Sequence, residues 1–515
     1  MKKKTEVIQI GASDWREQYP LPSGVNWHYR SSDDPTRETA ESEAADGKKA
    51  PKDFDVVILD GTVDEEYMPY LLTLGAAYVY FYTDRVPMTE GLRGLIDRKL
   101  AVRLSDEEIP AFLRRIPMQY FRGQEGSKLK PGMILAAHDL QSKMVTDGNR
   151  CVWVEDDFGD TLRPVFQWKY NITLRKEQPL ELWLEYTKSG DVTFAFKVRL
   201  FQDGSLCELL WTKVFTEEEL SQPLVFFDGQ AGYLACEVLA KGKGRLEMGN
   251  LHFRQSRLDA GQFLAGGERH ADPTRREFIS YFDPGDLKPP LNVYFSGYRT
   301  AEGFEGYFIM KRMQSPFLLI GDPRLEGGGF YMGTPEFEQS IVDVIQAALD
   351  RLGFTRDQLI LSGMSMGTFG AAYYACDLLP HAVIIGKPLM NIGNVASNEK
   401  RLRPGGFPTS LDVLRSTIGG NTPEDAEQLN ERFWKKFDAA DFSRTRFVIS
   451  YMYQDDYDMT GYPDILAHLQ DRRVPIVSKG LEGRHNDNTS GIVSWFMSQY
   501  RRVLRSDFGK EVSAV

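Results

Sequence analysis

Ser365 lies in Gly363-Met364-Ser365-Met366-Gly367, between the apolar run Gln358-Leu359-Ile360-Leu361 and the small-residue stretch Thr368 to Leu379. That pattern demands a strand, a sharp turn and a helix. Glycines two before and two after the serine let the backbone pass close to both elements and leave the hydroxyl at a helix N-terminus, where the dipole favours developing negative charge. A serine hydroxyl is a weak nucleophile at neutral pH; it needs an imidazole to take its proton and a carboxylate to hold the imidazole's tautomer. Of seven histidines, His485 alone falls in a glycine-rich loop, Gly480 to His485, between an expected strand at Val474 to Ser478 and an expected helix at Thr489 to Leu504. It is read as the general base. His468 sits in a helical stretch, and His28, His138, His252, His270 and His381 fall outside the chain order serine, acid, histidine. The acid is sought after the strand Phe447 to Tyr451, in Gln454-Asp455-Asp456-Tyr457-Asp458. Asp455 is favoured there, Asp456 and Asp458 are alternatives, and Asp322, after an earlier strand, is a distant fourth. For the oxyanion, the Met366 N–H is one expected donor and the Tyr298 N–H, following Gly297, the other. Gly327-Gly328-Gly329 is read as a tight loop near the site.

The elements needed to position these groups follow in order. Leu291 to Phe295 and Pro316 to Ile320 read as strands, Phe304 to Met313 and Glu336 to Leu352 as helices, and His381 to Ile385 as the strand after the serine's helix. Strand, helix, strand, helix, strand and Gly-x-Ser-x-Gly is the order of an α/β-hydrolase core, expected here over 280–515 with a cap insertion at 391–444. Thr422 with Pro423 marks a helix start inside that cap. Upstream, Glu6 to Ile10, Phe54 to Leu59 and Ala77 to Tyr82 read as strands among helices at Glu66 to Leu74, at Thr89 to Arg98 and after Ser105-Asp106-Glu107-Glu108, giving a small parallel α/β domain over 1–122. Between its first two strands, Ser31 to Lys52 reads as a long polar loop. From 123 to 262 the apolar period becomes two, as in Val192 to Leu200 and Leu180 to Tyr186, with turn signals at Ser189-Gly190, Asp203-Gly204 and Asp228-Gly229. This is the pattern of an antiparallel, jelly-roll-like sandwich, a type that often binds carbohydrate. Trp168, Trp183 and Tyr186 have the chemistry to stack on sugar rings, but core packing is the commoner use of such residues. Residues 263–279, polar and glycine-containing, read as a linker. The fold class is thus α/β and multidomain.

Across 515 residues the formal charge is −11, which argues against nucleic-acid binding. The Gly11-Ala12-Ser13 turn lacks the glycine spacing of a dinucleotide fingerprint. Thr5-Glu6 and the polar residues after it interrupt any apolar signal segment, so a cytoplasmic start is expected. With no run of about 18 apolar residues, a membrane span is not expected. Cys151, Cys207, Cys236 and Cys376 lie far apart in apolar surroundings and read as buried free thiols of a reducing compartment, without metal-ligand spacing.

The whole chain resembles the accessory secretory protein that is second in its series in the Gram-positive accessory Sec system. Val7-Ile8-Gln9-Ile10-Gly11 with Asp14-Trp15, Tyr294 to Arg299 with Glu302 to Gly306, Ser362 to Gly367 and Gly483-Arg484-His485-Asn486 carry the resemblance. It implies O-acetylation of N-acetylglucosamine on serine-rich-repeat glycoprotein adhesins before export. It also implies a cytoplasmic complex, peripheral to the membrane, with the first and third accessory secretory proteins and contact with the accessory Sec motor ATPase. No resident cofactor is expected, but an acetyl donor is required, with acetyl-CoA a candidate. The residues themselves reach only serine acyl transfer; a carbohydrate esterase, or a non-catalytic scaffold or chaperone of the translocase, satisfies the same pattern.

Overall fold

The computed structural model describes residues 3–36, 53–205, 207–227 and 229–511. Two compact units emerge, one of residues 1–124, 256–268 and 281–287, the other of 125–255, 269–280 and 288–515. In the first, β1 (Thr5–Gly11), β2 (Val25–Ser31), β3 (Val56–Asp60), β4 (Tyr80–Thr83) and β5 (Val102–Leu104) form a parallel sheet in the order β2-β1-β3-β4-β5. Helices α1 (Met68–Leu71), α2 (Glu90–Lys99) and α3 (Ile109–Gln119) alternate with the later strands. Thr89 caps α2 by accepting from the Leu92 N–H, as its position before an apolar-periodic run requires. At the C-terminal end of β3, buried Asp60 accepts from Trp15 Nε1, Thr83 Oγ1 and Arg85 Nε. Strands β2 and β5 escape the sequence pattern. In β2 the buried positions include His28 and Arg30, and His28 packs inward because its Nε2 lies 3.0 Å from Glu6 Oε2. Of the expected loop from Ser31, residues 37–52 lie outside the described residues, as does Asp228 of the turn at 228–229.

The second unit begins with strands β6 to β17: Gly126–Leu129, Ile134–Ala136, Val145–Asp147, Cys151–Asp157, Arg163–Trp168, Ile172–Leu174, Leu180–Gly190, Thr193–Gln202, Leu209–Thr216, Leu224–Phe226, Gly232–Lys241 and Lys243–Gln255. They form two six-stranded antiparallel sheets, one running β14-β13-β16-β10-β7 and the other β15-β12-β17-β9-β8, with β11 and β6 alongside. Alternation explains the core: Phe194, Phe196, Val198 and Leu200 point inward from β13 while Lys197 and Arg199 pair with Glu237. Trp168 is core, edge-on to Phe196 at 5.9 Å; Trp183 is buried between the guanidinium groups of Arg269 and Arg275. Neither offers a face to a sugar.

Residues 263–279 are not a linker. They carry β18 (Gly267–Ala271) and enter β19 (Glu277–Asp283), the edge of an eight-stranded sheet. Their polar residues misled because they are paired inside: Glu277 is fully buried against Arg254, and the His270 ring stacks on Phe278 at 4.6 Å. The remaining strands are β20 (Leu291–Phe295), β21 (Phe317–Gly321), β22 (Leu359–Met364), β23 (Ala382–Gly386), β24 (Arg446–Met452) and β25 (Ile476–Leu481). The sheet order is β18-β19-β21-β20-β22-β23-β24-β25, parallel from β21 through β25. Helix α4 (Tyr307–Lys311) is shorter than the sequence implies, since Gly306 enters it at φ 82°. Helix α5 (Pro335–Leu352) is capped by Thr334 and ended by left-handed Gly353, and α6 (Met366–Leu378) follows the serine turn. Between β23 and β24 stand α7 (Ile392–Arg401), α8 (Thr409–Ile418) and α9 (Pro423–Ala439), the last begun by a Thr422–Asp425 capping box. Helices α10 (Gly461–Leu469) and α11 (Thr489–Phe508) complete the chain. Cys151 and Cys236 are buried and Cys376 half-buried, but Cys207, in the turn between β13 and β14, is exposed. No helix among the described residues is long and apolar enough to cross a membrane.

Candidate active site

The serine turn is built by two close approaches that only glycine permits. A Cβ on Gly363 would stand 2.4 Å from the Gly367 carbonyl oxygen, and one on Gly367 would stand 2.1 Å from that of Phe295. Ser365 between them has φ 53° and ψ −122°, a conformation costly for a non-glycine residue and held by the Ser365 N–H bond to the Gly386 carbonyl, 2.9 Å. The turn aims Ser365 Oγ at His485 Nε2, 2.8 Å away.

His485 comes from the loop after β25, and the acid from the loop after β24. These loops are zipped together: Tyr453 N–H donates to the Leu481 carbonyl, Gln454 N–H to the Gly483 carbonyl, and Gly483 N–H to Gln454 Oε1. Gly483, at φ 122°, makes the turn possible. His485 Nδ1 donates to Asp455 Oδ2 at 2.8 Å, while Asp455 Oδ1 accepts from the Tyr457 and Asp458 N–H groups. The other three acids do different things. Asp456 Oδ1 accepts the His485 backbone N–H at 3.0 Å, and its carboxylate pairs with Arg403. Asp458 accepts from the Met390 and Asn391 N–H groups; burial pushes its carboxyl up despite those bonds. Asp322 holds the triple-glycine loop by accepting from Gly329 N, Tyr331 N and Arg324. Burial works to raise its pKa, but Arg324 and the two N–H donors outweigh burial and hold it below the usual carboxylate range.

Met366 opens α6, so its N–H is among the first-turn donors that a helix leaves for an outside acceptor. Tyr298 stands in the loop after β20. The neighbouring Gly297 N–H is committed to Glu305 Oε2 and the Arg299 N–H to the Gly327 carbonyl, whereas the Tyr298 N–H has no partner among the described residues. The two candidate donors are on adjoining backbone: a Cβ on Gly297 would be 3.3 Å from the Met364 carbonyl, and one on Gly328 would strike the Met366 side chain. The triple-glycine loop therefore backs the Met366 side.

Several groups here are invisible to motif reading. The Tyr457 ring stands edge-on to the His485 ring at 4.4 Å, with the Arg403 guanidinium over it, 3.6 Å from its centroid, and Asn486 Nδ2 donating to its hydroxyl. Phe407 bridges Tyr457 and Tyr298 at 5.7 and 5.3 Å. Arg403 and Phe407 belong to the segment between β23 and β24, so that segment packs on the Tyr457 ring beside the imidazole, which is 2% exposed.

Among the described residues one group has the spacing to hold a metal ion, His252, Glu277 and Glu302, all buried. Arg254 spans its two carboxylates and Lys128 Nζ lies 3.6 Å from Glu302, so cations of the chain already occupy that role. Chemically, the line Asp455–His485–Ser365 can deprotonate the serine and form an acyl-enzyme.

Over residues 5–510 the chain matches the family model described as accessory Sec system GspB-transporter. It is 38% identical over 515 residues to the second accessory Sec system protein of Streptococcus gordonii, covering 99% of this chain and 100% of that one. The Staphylococcus aureus counterpart is also 38% identical, over 520 residues, covering 99% and 98%. Among solved structures, a chain of the glycosylation-associated protein (Gap123) complex from Streptococcus agalactiae superposes with a TM-score of 0.87 at 38% identity, covering 99% of this chain and 100% of that one. Similarity this deep, end to end and in three dimensions, means that the chain belongs to the accessory Sec system GspB-transporter family.

Proposed function

We propose that the chain is a serine O-acetyltransferase with an α/β-hydrolase-like catalytic core, acting on N-acetylglucosamine of serine-rich-repeat glycoprotein adhesins before the accessory Sec system exports them. The observation that carries this reading is the line of two 2.8 Å contacts from Asp455 through His485 to Ser365. His485 Nε2 takes the Oγ proton as Ser365 attacks the acetyl carbonyl of a donor such as acetyl-CoA. The Met366 and Tyr298 N–H groups receive the oxyanion, and Asp455 stabilises the imidazolium. His485 then returns its proton to the leaving thiolate. A sugar hydroxyl next gives its proton to His485 as it attacks the acetyl-serine carbonyl; the bond to Oγ then breaks, His485 returns the proton to Oγ, and the sugar leaves as the ester, restoring Ser365.

Water attacking the same intermediate would make an esterase. Burial of His485, with the Tyr457 ring against its own, favours transfer, since a covered site limits water. A glycan acceptor is supported by the relative that is a chain of a glycosylation-associated complex. Family membership supports action in the cytoplasm, peripheral at the membrane, with the first and third accessory secretory proteins and the motor ATPase as partners. Mass spectrometry of adhesin glycans from cells carrying Ser365→Ala tests the enzyme reading, and the exported amount tests the scaffold reading. Loss of the acetyl mass increment with export continuing is expected. Unchanged acetylation would reject the proposal.

A further inference from the structure

The second unit holds a cavity of ≈ 190 Å³ walled by sandwich strands β9, β12 and β17, the β18–β19 turn, the β21–α5 loop and α8. The volume exceeds the roughly 150 Å³ of a cavity known to take one six-membered ring. Three arginines line it, Arg150, Arg276 and Arg324. Two are committed: Arg150 to Asp147 and Glu247, Arg324 to Asp322. The acidic lining is neutralised as well, Glu185 accepting from Asn250 N and His252 Nε2, and Glu247 from Arg245. The Arg276 guanidinium donates to no group among the described residues; its backbone alone is bonded, the N–H to Asp272 Oδ1 and the carbonyl accepting from the Asp272 N–H. Burial, and then the nearby Arg324, lower its pKa, outweighing the opposing pull of Glu185 and Asp272. A second orphan lines the same cavity: Ser416 Oγ is buried without a hydrogen-bond partner. Tyr186 and Thr274 also line it, the Thr274 hydroxyl donating to Asp272 Oδ1.

We infer that this cavity binds an anionic monosaccharide, a hexose-sized polyol whose phosphate or carboxylate pairs with Arg276. The guanidinium fork matches either anion in bidentate geometry. The ring fits beside Tyr186, and a sugar hydroxyl satisfies Ser416, the combination by which proteins bind a small polar ring. This site is separate from the acyl-transfer line and does not depend on the function proposed for it.

Titration calorimetry on the full chain with glucose 6-phosphate, glucuronate, inorganic phosphate and glucose tests the inference. One equivalent of glucose 6-phosphate or glucuronate is expected to bind, the tighter of the two identifying the anion, with glucose and inorganic phosphate weaker by about tenfold or more. Arg276→Gln should weaken the charged sugar by about tenfold or more, Ser416→Ala by a few-fold, and Ser365→Ala not at all. Arg276 makes no side-chain bond whose loss would unfold the chain, and Ser416→Ala provides an independent reading. Absence of saturable binding by both charged sugars, equal binding of inorganic phosphate, or affinity unchanged in Arg276→Gln would each overturn the inference.

Discussion

Four carboxylates lie within reach of the serine turn or its supporting loops, and the contacts of each assign it a different consequence when altered. Asp455→Asn should leave the protein folded and lower transfer by about 10³–10⁴-fold, since the amide no longer fixes the imidazole tautomer; single-turnover acetyl transfer measures it. Asp456→Asn touches only the His485 backbone and Arg403, so a loss no larger than about 10²-fold is expected, with the pH profile unmoved. An Asp456 effect equal to that of Asp455 would contradict the assignment. Sequence order alone located the stretch but left Asp455, Asp456 and Asp458 open, because three acids within four residues differ only in where the turn aims them. Ser365 and His485 were more legible: glycine spacing marks a serine turn, and one histidine alone occupied a loop after the last strand. Tyr298 was legible only as the residue following a glycine at a strand end; Arg403, Phe407 and Tyr457 were not, because aromatic and cationic residues serve cores and surfaces alike.

At the scale of elements, the serine turn depends on β20 as much as on β22 and α6. Gly367→Ala would press a methyl into the Phe295 carbonyl, so loss of acyl transfer together with destabilisation of about 1–3 kcal/mol is expected in a urea titration. Wild-type stability in that variant would show that the close approach is not needed. The parallel strands were readable because each is a short apolar run between helices with caps of the Thr334 and Thr422 kind. Reading failed where a strand buries charge. β2 hides His28 and Arg30, and β19 hides Glu277, so a period-two apolar signal never forms and the segments pass for loop or linker.

Over the whole second unit, a buried network ties the sandwich to the loop after β20 that carries Tyr298. His252 Nε2 lies 3.1 Å from Glu185 Oε1, while its Nδ1 meets Glu302, which also accepts from Arg254 Nε at 2.6 Å. Burial alone would lower the His252 pKa, but Glu302 and Glu185 push it up to about 9. Because the folded value is raised above the ordinary 6.5, this group's stabilisation is complete below about pH 6.5 and is lost as pH rises through 9. Glu302 moves the other way. Burial opposes its ionisation, yet Arg254, His252 and Lys128 hold it well below its ordinary range, so its contribution is present above about pH 4.5 and lost on acidification. Thermal melts should therefore show greatest stability between those limits and a decline toward pH 10 worth on the order of 3 kcal/mol. His252→Gln should start lower by about 3–5 kcal/mol and lack that alkaline decline. A variant with the same alkaline slope as wild type would exclude His252 as its source. The turn Asp455–Asp458 has a kinetic corollary. One carboxylate orients the imidazole, and three residues on the other grips the Met390 and Asn391 N–H groups at the root of the α7–α9 insertion. A cover fastened to the acid's own turn is a fixed roof rather than a swinging lid, so turnover should be insensitive to solvent viscosity.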